Sequence, residues 1–300
     1  MSDEAAPPSP SPEAEVEMGI VERVLAVKAI SAFGDLHRDE LASLARAGSL
    51  RRVPEGAPLE SPEVDPSLHF LVEGRVRSLG DGPGGKTHDA PTMLGLLDIL
   101  SAVPTGGHVA EVESTTLEIS RAPLLEVLEQ EFEVWRAFLG EVCRSLAGVE
   151  RAARIADSRV RDADDLVDRI LLLRGTSPFA AVGVHLLGQI ASEMQLFEVD
   201  AGAVLWRAGE PTRFALAILE GDLEARREGE VAFAGPGQLL CLAAAICGAP
   251  HYSSARARSR LCALRLEAPL LFDVLEDEPA GAVELLCSMA RDAVGRRSTQ

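Results

Sequence analysis

From Ile20 the apolar positions Val24, Val27 and Ile30 recur at helical spacing, and residues 39–47 (D-E-L-A-S-L-A-R-A) predict a second short helix that stops at Gly48. Beyond Gly48 the apolar period shortens. Residues 49–53, 69–72, 75–79, 109–112 and 116–120 are brief apolar-rich runs broken by turn residues, among them P-E-G at 54–56 and G-D-G-P-G-G at 80–85. Short runs in such close order predict antiparallel strands of a jelly-roll-like barrel. Residues 122–129 (A-P-L-L-E-V-L-E) then open a helix with proline in its first turn.

The same succession returns in the second half. Residues 94–108 (L-G-L-L-D-I-L-S-A-V-P-T-G-G-H) have a twin in 240–254 (L-C-L-A-A-A-I-C-G-A-P-H-Y-S-S), starting 146 positions later. Phe33 answers to Phe179, V-P-E-G at 53–56 to V-D-A-G at 199–202, L-V-E-G at 71–74 to I-L-E-G at 218–221, and A-P-L-L at 122–125 to A-P-L-L at 268–271. An offset that stays at 146 or 147 through ordered landmarks predicts two copies of one domain. The expected division is a tail over 1–18, a first domain over 19–134, a connecting helix over 135–174 and a second domain over 175–300.

In the connector, Trp135, Leu139, Val142, Leu146, Val149, Ala153, Ala156, Val160, Ala163, Val167 and Ile170 alternate by fours and threes, as in a coiled-coil seam. Two readings stay open: a linker helix whose ends pack on the two domains, or a homodimer seam. The tail is rich in Pro, Ser and acid and poor in apolar residues, a composition that predicts disorder.

Composition narrows the function. A formal net charge of −18 opposes a polyanionic partner, because clustered Lys and Arg supply most of the affinity for phosphate backbones, so no nucleic acid is expected. No run of about 18 apolar residues is present, so no membrane insertion and a cytoplasmic location are expected. Five cysteines without a C-x-x-C pair read as buried free thiols.

A helix, a small barrel with [LI]-x-E-G hairpins, a short internal helix and closing helices together resemble the cyclic nucleotide-binding domain superfamily. The duplicated arrangement is similar to regulatory subunits of cyclic-AMP-dependent protein kinase, and each copy to the sensor half of catabolite-activator-type regulators. The resemblance covers residues 20–291. It implies a mainly β fold with flanking helices: two jelly-roll-like cyclic nucleotide-binding barrels joined by a long helix.

The family's phosphate-binding cassette reads F-G-E-x-A-L, a few variable residues, then P-R-x-A. Its helix-start N–H groups and its Arg neutralise the cyclic phosphate, while its Glu accepts from the ribose 2′-hydroxyl. On this chain the Glu position is held by Leu96 and Leu242, and the Arg position by Thr105 and His251. Gly106 and Gly107 place a flexible loop in the first copy, and Tyr252 and Ser253 add donors in the second. An unpaired phosphate would cost several kcal/mol to desolvate. The resemblance with these departures implies two vestigial cassettes, no cofactor, and a non-enzymatic scaffold or adaptor whose partner is another protein. The alternative is a small-molecule or cyclic (di)nucleotide sensor with one atypical pocket in the second domain.

Other chemistry is weaker. Cys241, Cys247 and His251 cluster without a zinc-ligand spacing or a fourth ligand. His37, His69, His88, His108 and His185 are scattered and read as structural, with no nucleophile and acid at triad spacing. Gly82 to Gly85 read as a hairpin loop, since neither a helix nor a Lys-Ser/Thr pair follows at phosphate-loop spacing. The 32 residues after Ala268 are expected to leave no room for a DNA-recognition helix, and the tail carries no Arg-rich inhibitor segment.

Overall fold

The computed structural model describes residues 19–60, 65–80, 85–147, 153–154 and 165–297. The N-terminal tail, the loop over 81–84 and most of the expected seam between Leu146 and Val167 lie outside the described residues. In chain order the first half contains α1 (Ile20–Lys28), a 3-10 turn (Ser31–Phe33), α2 (Arg38–Ala47), β1 (Ser49–Val53), β2 (Leu68–Glu73), β3 (Arg75–Ser78), β4 (Lys86–Asp89) and β5 (Thr92–Leu94). There follow α3 (Leu96–Ser101), β6 (His108–Ala110), β7 (Ser114–Ile119), α4 (Arg121–Gln130) and α5 (Phe132–Ala147). After β8 (Ala153–Arg154) come α6 (Leu166–Arg174), a 3-10 turn (Ser177–Phe179), α7 (Val184–Glu193), β9 (Gln195–Val199), β10 (Val204–Trp206), β11 (Phe214–Glu220), β12 (Leu223–Arg227) and β13 (Glu230–Ala234). The chain ends through β14 (Gln238–Leu240), α8 (Leu242–Cys247), β15 (Ser254–Ala257), β16 (Leu261–Glu267), α9 (Ala268–Asp277) and α10 (Pro279–Arg297).

Local signals set the helix starts. The Gly19 N–H donates to Glu22 Oε2 at 2.7 Å and the His37 N–H to Glu40 Oε2 at 2.6 Å, so each helix returns a carboxylate to its own first turn. Arg23 donates to the Gly48 carbonyl at 3.1 Å, fastening α1 to the end of α2. Arg169, 146 positions on, does the same for α6 and α7 through the Met194 carbonyl at 2.7 Å.

The chain forms two compact units. In the first, a four-stranded sheet (β1-β7-β2-β5) and a three-stranded sheet (β4-β3-β6) are antiparallel. They share one apolar core made by Val53, Leu59, Leu71, Val76, Leu94 and Ala110. In the second, a five-stranded sheet (β8-β14-β11-β16-β9) and a four-stranded sheet (β10-β15-β12-β13) enclose Leu216, Ile218, Leu223, Ala255, Ala257, Leu261 and Ala263. The expectation of a mainly β fold with flanking helices holds. The expected barrels are replaced by pairs of sheets: among the described residues no strand set closes on itself.

The second unit also holds α3 and α5, and there the short helices and the long ones are exchanged. Helix α5 packs on α8, while α10 packs on α3; α5 and α10 also touch each other. Ile99 and Leu100 of α3 and Ala244 of α8 are sealed by these contacts.

The connecting helix expected between Trp135 and Ile170 is not continuous. α5 and α6 are separate helices, and Ala153–Arg154 between them form β8 against β14. The seam positions Trp135, Leu139, Val142 and Leu146 are buried within the chain, on the α5 face that covers its own helical neighbours. The heptad register therefore joined two helices with different partners. No helix among the described residues is long and apolar enough to cross a membrane.

Candidate functional site

Both cassette helices begin directly after a residue in the left-handed region. Gly95 has φ +78° and Cys241 φ +64°. Glycine suits the first position for a second reason, since a Cβ there would collide with the Ser67 carbonyl oxygen. At the second position a side chain is carried at a conformational cost of about 1–2 kcal/mol. The Cys241 Sγ lies 3.8 Å from His251 Nδ1, and Cys241 is buried.

The first set of cassette positions is not gathered around a charge. Leu96 is half-buried at the start of α3, while Thr105 and Gly106 are exposed and Gly107 sits at φ +86°. The glycines serve a close approach more than flexibility: a Cβ on Gly106 would come within 2.7 Å of the Gly80 backbone, and the Leu79 N–H donates to the Gly107 carbonyl at 3.0 Å.

Beside this loop lies a polar cluster that the sequence did not reveal. His108 Nδ1 is 2.6 Å from Glu60 Oε1, and the His108 backbone N–H donates to Glu60 Oε2 at 3.0 Å. His69 Nε2 is 3.8 Å from the same Oε1. His69 is fully buried, sharing its face of β2 with Leu71 of the core, and neither of its ring nitrogens has a hydrogen-bond partner. Nearby, Arg51 Nη1 binds Glu118 Oε2 at 2.9 Å and the Leu59 carbonyl at 3.1 Å.

Burial drives the His69 imidazole below its ordinary pKa against the pull of Glu60 and Glu118. Burial alone would raise Glu60, but the hydrogen bond and charge of His108, with His69, hold its carboxyl below the usual value. Glu118 is likewise held low: burial alone would raise it, but Arg51, His69 and Ser67 together outweigh that. The available signal was the parity of β2, which puts His69 and Leu71 on one face; Glu60 gave none.

The second set is brought together tightly. His251 is 5% exposed and stacks on Trp206 with ring centroids 4.7 Å apart at 10°, and Phe214 meets it at 6.3 Å and 60°. Its backbone is locked as well, the N–H donating to the Glu210 carbonyl at 2.8 Å and the carbonyl accepting from Gly209 at 2.9 Å. Burial lowers the His251 pKa, with the Glu210 charge opposing, so the ring is neutral at pH 7. Leu242 is buried at the first position of α8. Tyr252 is 49% exposed beneath the Arg227 guanidinium, 3.4 Å from its ring centroid, and Ser253 is half-buried. The Arg265 guanidinium lies 4.0 Å over the Phe214 ring and is paired with Glu267.

Among the described residues no group of three or more His, Cys, Asp or Glu is arranged to hold a metal ion. Cys241 and His251 are adjacent, whereas Cys247 bonds back to the Ala244 carbonyl at 3.8 Å. Cys143 is fully buried, and burial pushes its thiol well above the ordinary value.

Residues 196–278 match the family model described as the cyclic nucleotide-binding domain. No curated protein matches the chain closely enough to count as a relative. Among solved structures, the chain is similar to the regulatory domain of Toxoplasma gondii PKA with cAMP, at 14% identity over 93% of this chain and 96% of that one, with a TM-score of 0.34. It is similar to the regulatory subunit of a cAMP-independent protein kinase A from Trypanosoma brucei, at 15% identity over 95% and 94%, with a TM-score of 0.34. It is also similar to the N-terminal domain of a transcriptional regulator from Streptomyces coelicolor, at 22% identity over 43% and 94%, with a TM-score of 0.40. The matched stretch holds strands β9 to β16, the left-handed residue Cys241 and the short helix α8.

Proposed function

We propose that the chain is a non-enzymatic regulatory scaffold or adaptor, built from two cyclic nucleotide-binding-like copies whose cassettes no longer take a cyclic nucleotide. The duplication is supported by the 146-residue offset, which the Arg23/Arg169 and Gly95/Cys241 pairs obey. The observation that carries the loss of ligand is His251. It stands where the family has a phosphate-binding Arg, yet it is neutral, buried and stacked on Trp206. A cyclic phosphate placed there would have to break the stack and be desolvated without a counter-charge, at a cost of several kcal/mol. In the first copy, exposed Thr105 brings no charge, and Leu96 offers a ribose hydroxyl nothing to bind. With ligand chemistry gone, the remaining role is contact with another protein.

The test is a thermal-shift and calorimetry panel of cyclic AMP, cyclic GMP and cyclic dinucleotides on the full chain. No saturable response is expected at millimolar ligand. A specific ligand at about 100 times its Kd would add about 2.7 kcal/mol and a visible rise in Tm. Such a rise, lost in His251→Ala, would overturn the reading in favour of a sensor with a pocket at Trp206, Phe214 and His251.

A further inference from the structure

One sheet edge of the second unit lacks the features that keep edges single. β12 and β13 form a hairpin whose turn residues, Glu228 and Gly229, have φ +50° and +93°, the pattern of a tight two-residue connection. Residue pairs follow without a register shift from Arg227 opposite Glu230 to Leu223 opposite Ala234. β13 (E-V-A-F-A) is the last strand of its sheet, and among the described residues it pairs with β12 alone. All of it but Ala234 is exposed, Val231 at 45% and Phe233 at 60%. The free N–H and C=O groups of an edge template pairing with another chain, so edges are ordinarily blunted by lysine, proline or a bulge. β13 contains neither residue and no bulge. By contrast β4, at the edge of the first unit's three-stranded sheet, reads K-T-H-D and is blunted by Lys86 and Asp89.

Alternation fixes what this edge offers. In a two-residue hairpin the pair next to the turn exchanges both hydrogen bonds, so Glu230, Ala232 and Ala234 bond to β12, while Val231 and Phe233 turn their N–H and C=O groups outward. The Val231 and Phe233 side chains share the outer face of the sheet with Glu224 and Arg226, which are already paired with each other. The Arg258 guanidinium lies 4.7 Å over the Phe233 ring. The strand that fits such an edge is short, apolar and without charge at its centre, and β13 is itself such a strand. A two-fold axis at Ala232 pairs the whole of β13 with its counterpart. Each Val231 then meets the partner's Phe233, Glu230 meets the partner's Ala234, and no like charges face each other across the strands.

We propose that β13 pairs antiparallel with β13 of a second copy of this chain, joining two four-stranded sheets through the outward backbone groups of Val231 and Phe233. The contact involves no cassette residue and does not rest on the proposed loss of ligand. Sedimentation equilibrium of the full chain from about 5 to about 500 μM is expected to show a mass rising from 31.9 kDa towards twice that value, the weak association that a small contact supports. Two chains of −18 repel each other, so added salt should strengthen it. Phe233→Glu, at an exposed position, is expected to weaken the dimer about tenfold or more with the circular dichroism spectrum unchanged. Register is read by disulfide trapping with copper phenanthroline and air, the wild type with its native cysteines setting the background. Ala232→Cys puts the two introduced thiols on Cα atoms about 4.5 Å apart and should give a covalent dimer, whereas Glu230→Cys sets them about 14 Å apart and should not. A mass of 31.9 kDa throughout, a dimer unaffected by Phe233→Glu, or equal trapping of Glu230→Cys and Ala232→Cys would each overturn the pairing.

Discussion

The exchange of closing helices makes a prediction that proximity along the chain does not. The thiol of Cys143 lies near enough to Cys247, the last residue of α8, for the two to interact electrostatically, so the Cys143 face of α5 is the one laid on α8. Leu139, one helical turn earlier, shares that face and is fully buried. Leu139→Ala deletes a buried isobutyl group, at a cost of about 3 kcal/mol within the usual 2–5. If that loss falls wholly on local opening, amide exchange in the packed partner accelerates by about 100-fold, since every 1.4 kcal/mol is tenfold. Hydrogen exchange by mass spectrometry should show the acceleration in residues 242–247 of α8, more than 100 positions away, and to a smaller extent in α3. Ile99→Ala, fully buried in α3, should loosen α10 in return. If Leu139→Ala loosens α3 and leaves α8 untouched, each closing helix serves its own copy and the exchanged packing is refuted.

Three further outcomes follow from the sites. Gly95→Ala should lower stability by about 2 kcal/mol or more in urea titration, combining a positive φ with a collision at Ser67, whereas Gly56→Ala, also at positive φ but with open space around its Cβ, should cost less. Trp206→Ala should cost about 3–5 kcal/mol and return the His251 pKa towards its ordinary value, as read by imidazole proton NMR against pH. The pH dependence of the first unit has a definite sign. His69 is held below its ordinary value, so the stability tied to its neutral form is complete above about pH 6.5 and declines as pH falls through and below that value. Glu60, also held low, contributes stability that is complete above about pH 4.5 and is lost on further acidification. Urea midpoints should therefore fall from pH 7 to pH 4, and His69→Leu should flatten the upper part of that fall while leaving the pH 7 midpoint unchanged or raised, because it removes a buried ring without partners.

Much of the fold was written locally. Apolar spacing places α1 and α2, turn residues separate the strands, and the recurring L-x-L with its following proline marks α3 and α8. What failed was whatever depended on partners distant in sequence. The seam from Trp135 to Ile170 kept its three-four alternation across a break, because α5 and α6 are each amphipathic and the residues between them happen to preserve register. Periodicity reports that a face is buried, not against what. The polar cluster is illegible in sequence for the same reason: Glu60 lies in a loop, His69 on β2 and His108 on β6, strands of different sheets, and only the packing of those sheets brings both imidazoles within 4 Å of Glu60 Oε1.

The two cassette regions are filled by unlike means, which bears on the proposed loss of ligand. In the second unit the position of the family's Arg holds an imidazole that stacks on Trp206 and meets the edge of Phe214, which itself touches Trp206, so the three rings complete an aromatic cluster. In the first, the Arg position turned outward as Thr105, and a Glu60 to His108 pair with an unpartnered His69 stands in the polar part of the core. A domain adapting to a new ligand in duplicate would be expected to converge on one lining. On the proposed loss of ligand, two different fillings require only that binding no longer constrain the side chains that pack each core. His251→Arg offers the sharpest test of that step. A restored guanidinium without a carboxylate at Leu242 should break the Trp206 stack, lower stability by about 2–4 kcal/mol, and still give no saturable response to cyclic AMP in calorimetry. Micromolar binding by the single variant would show that the second site had kept its ligand geometry and had lost only its charge.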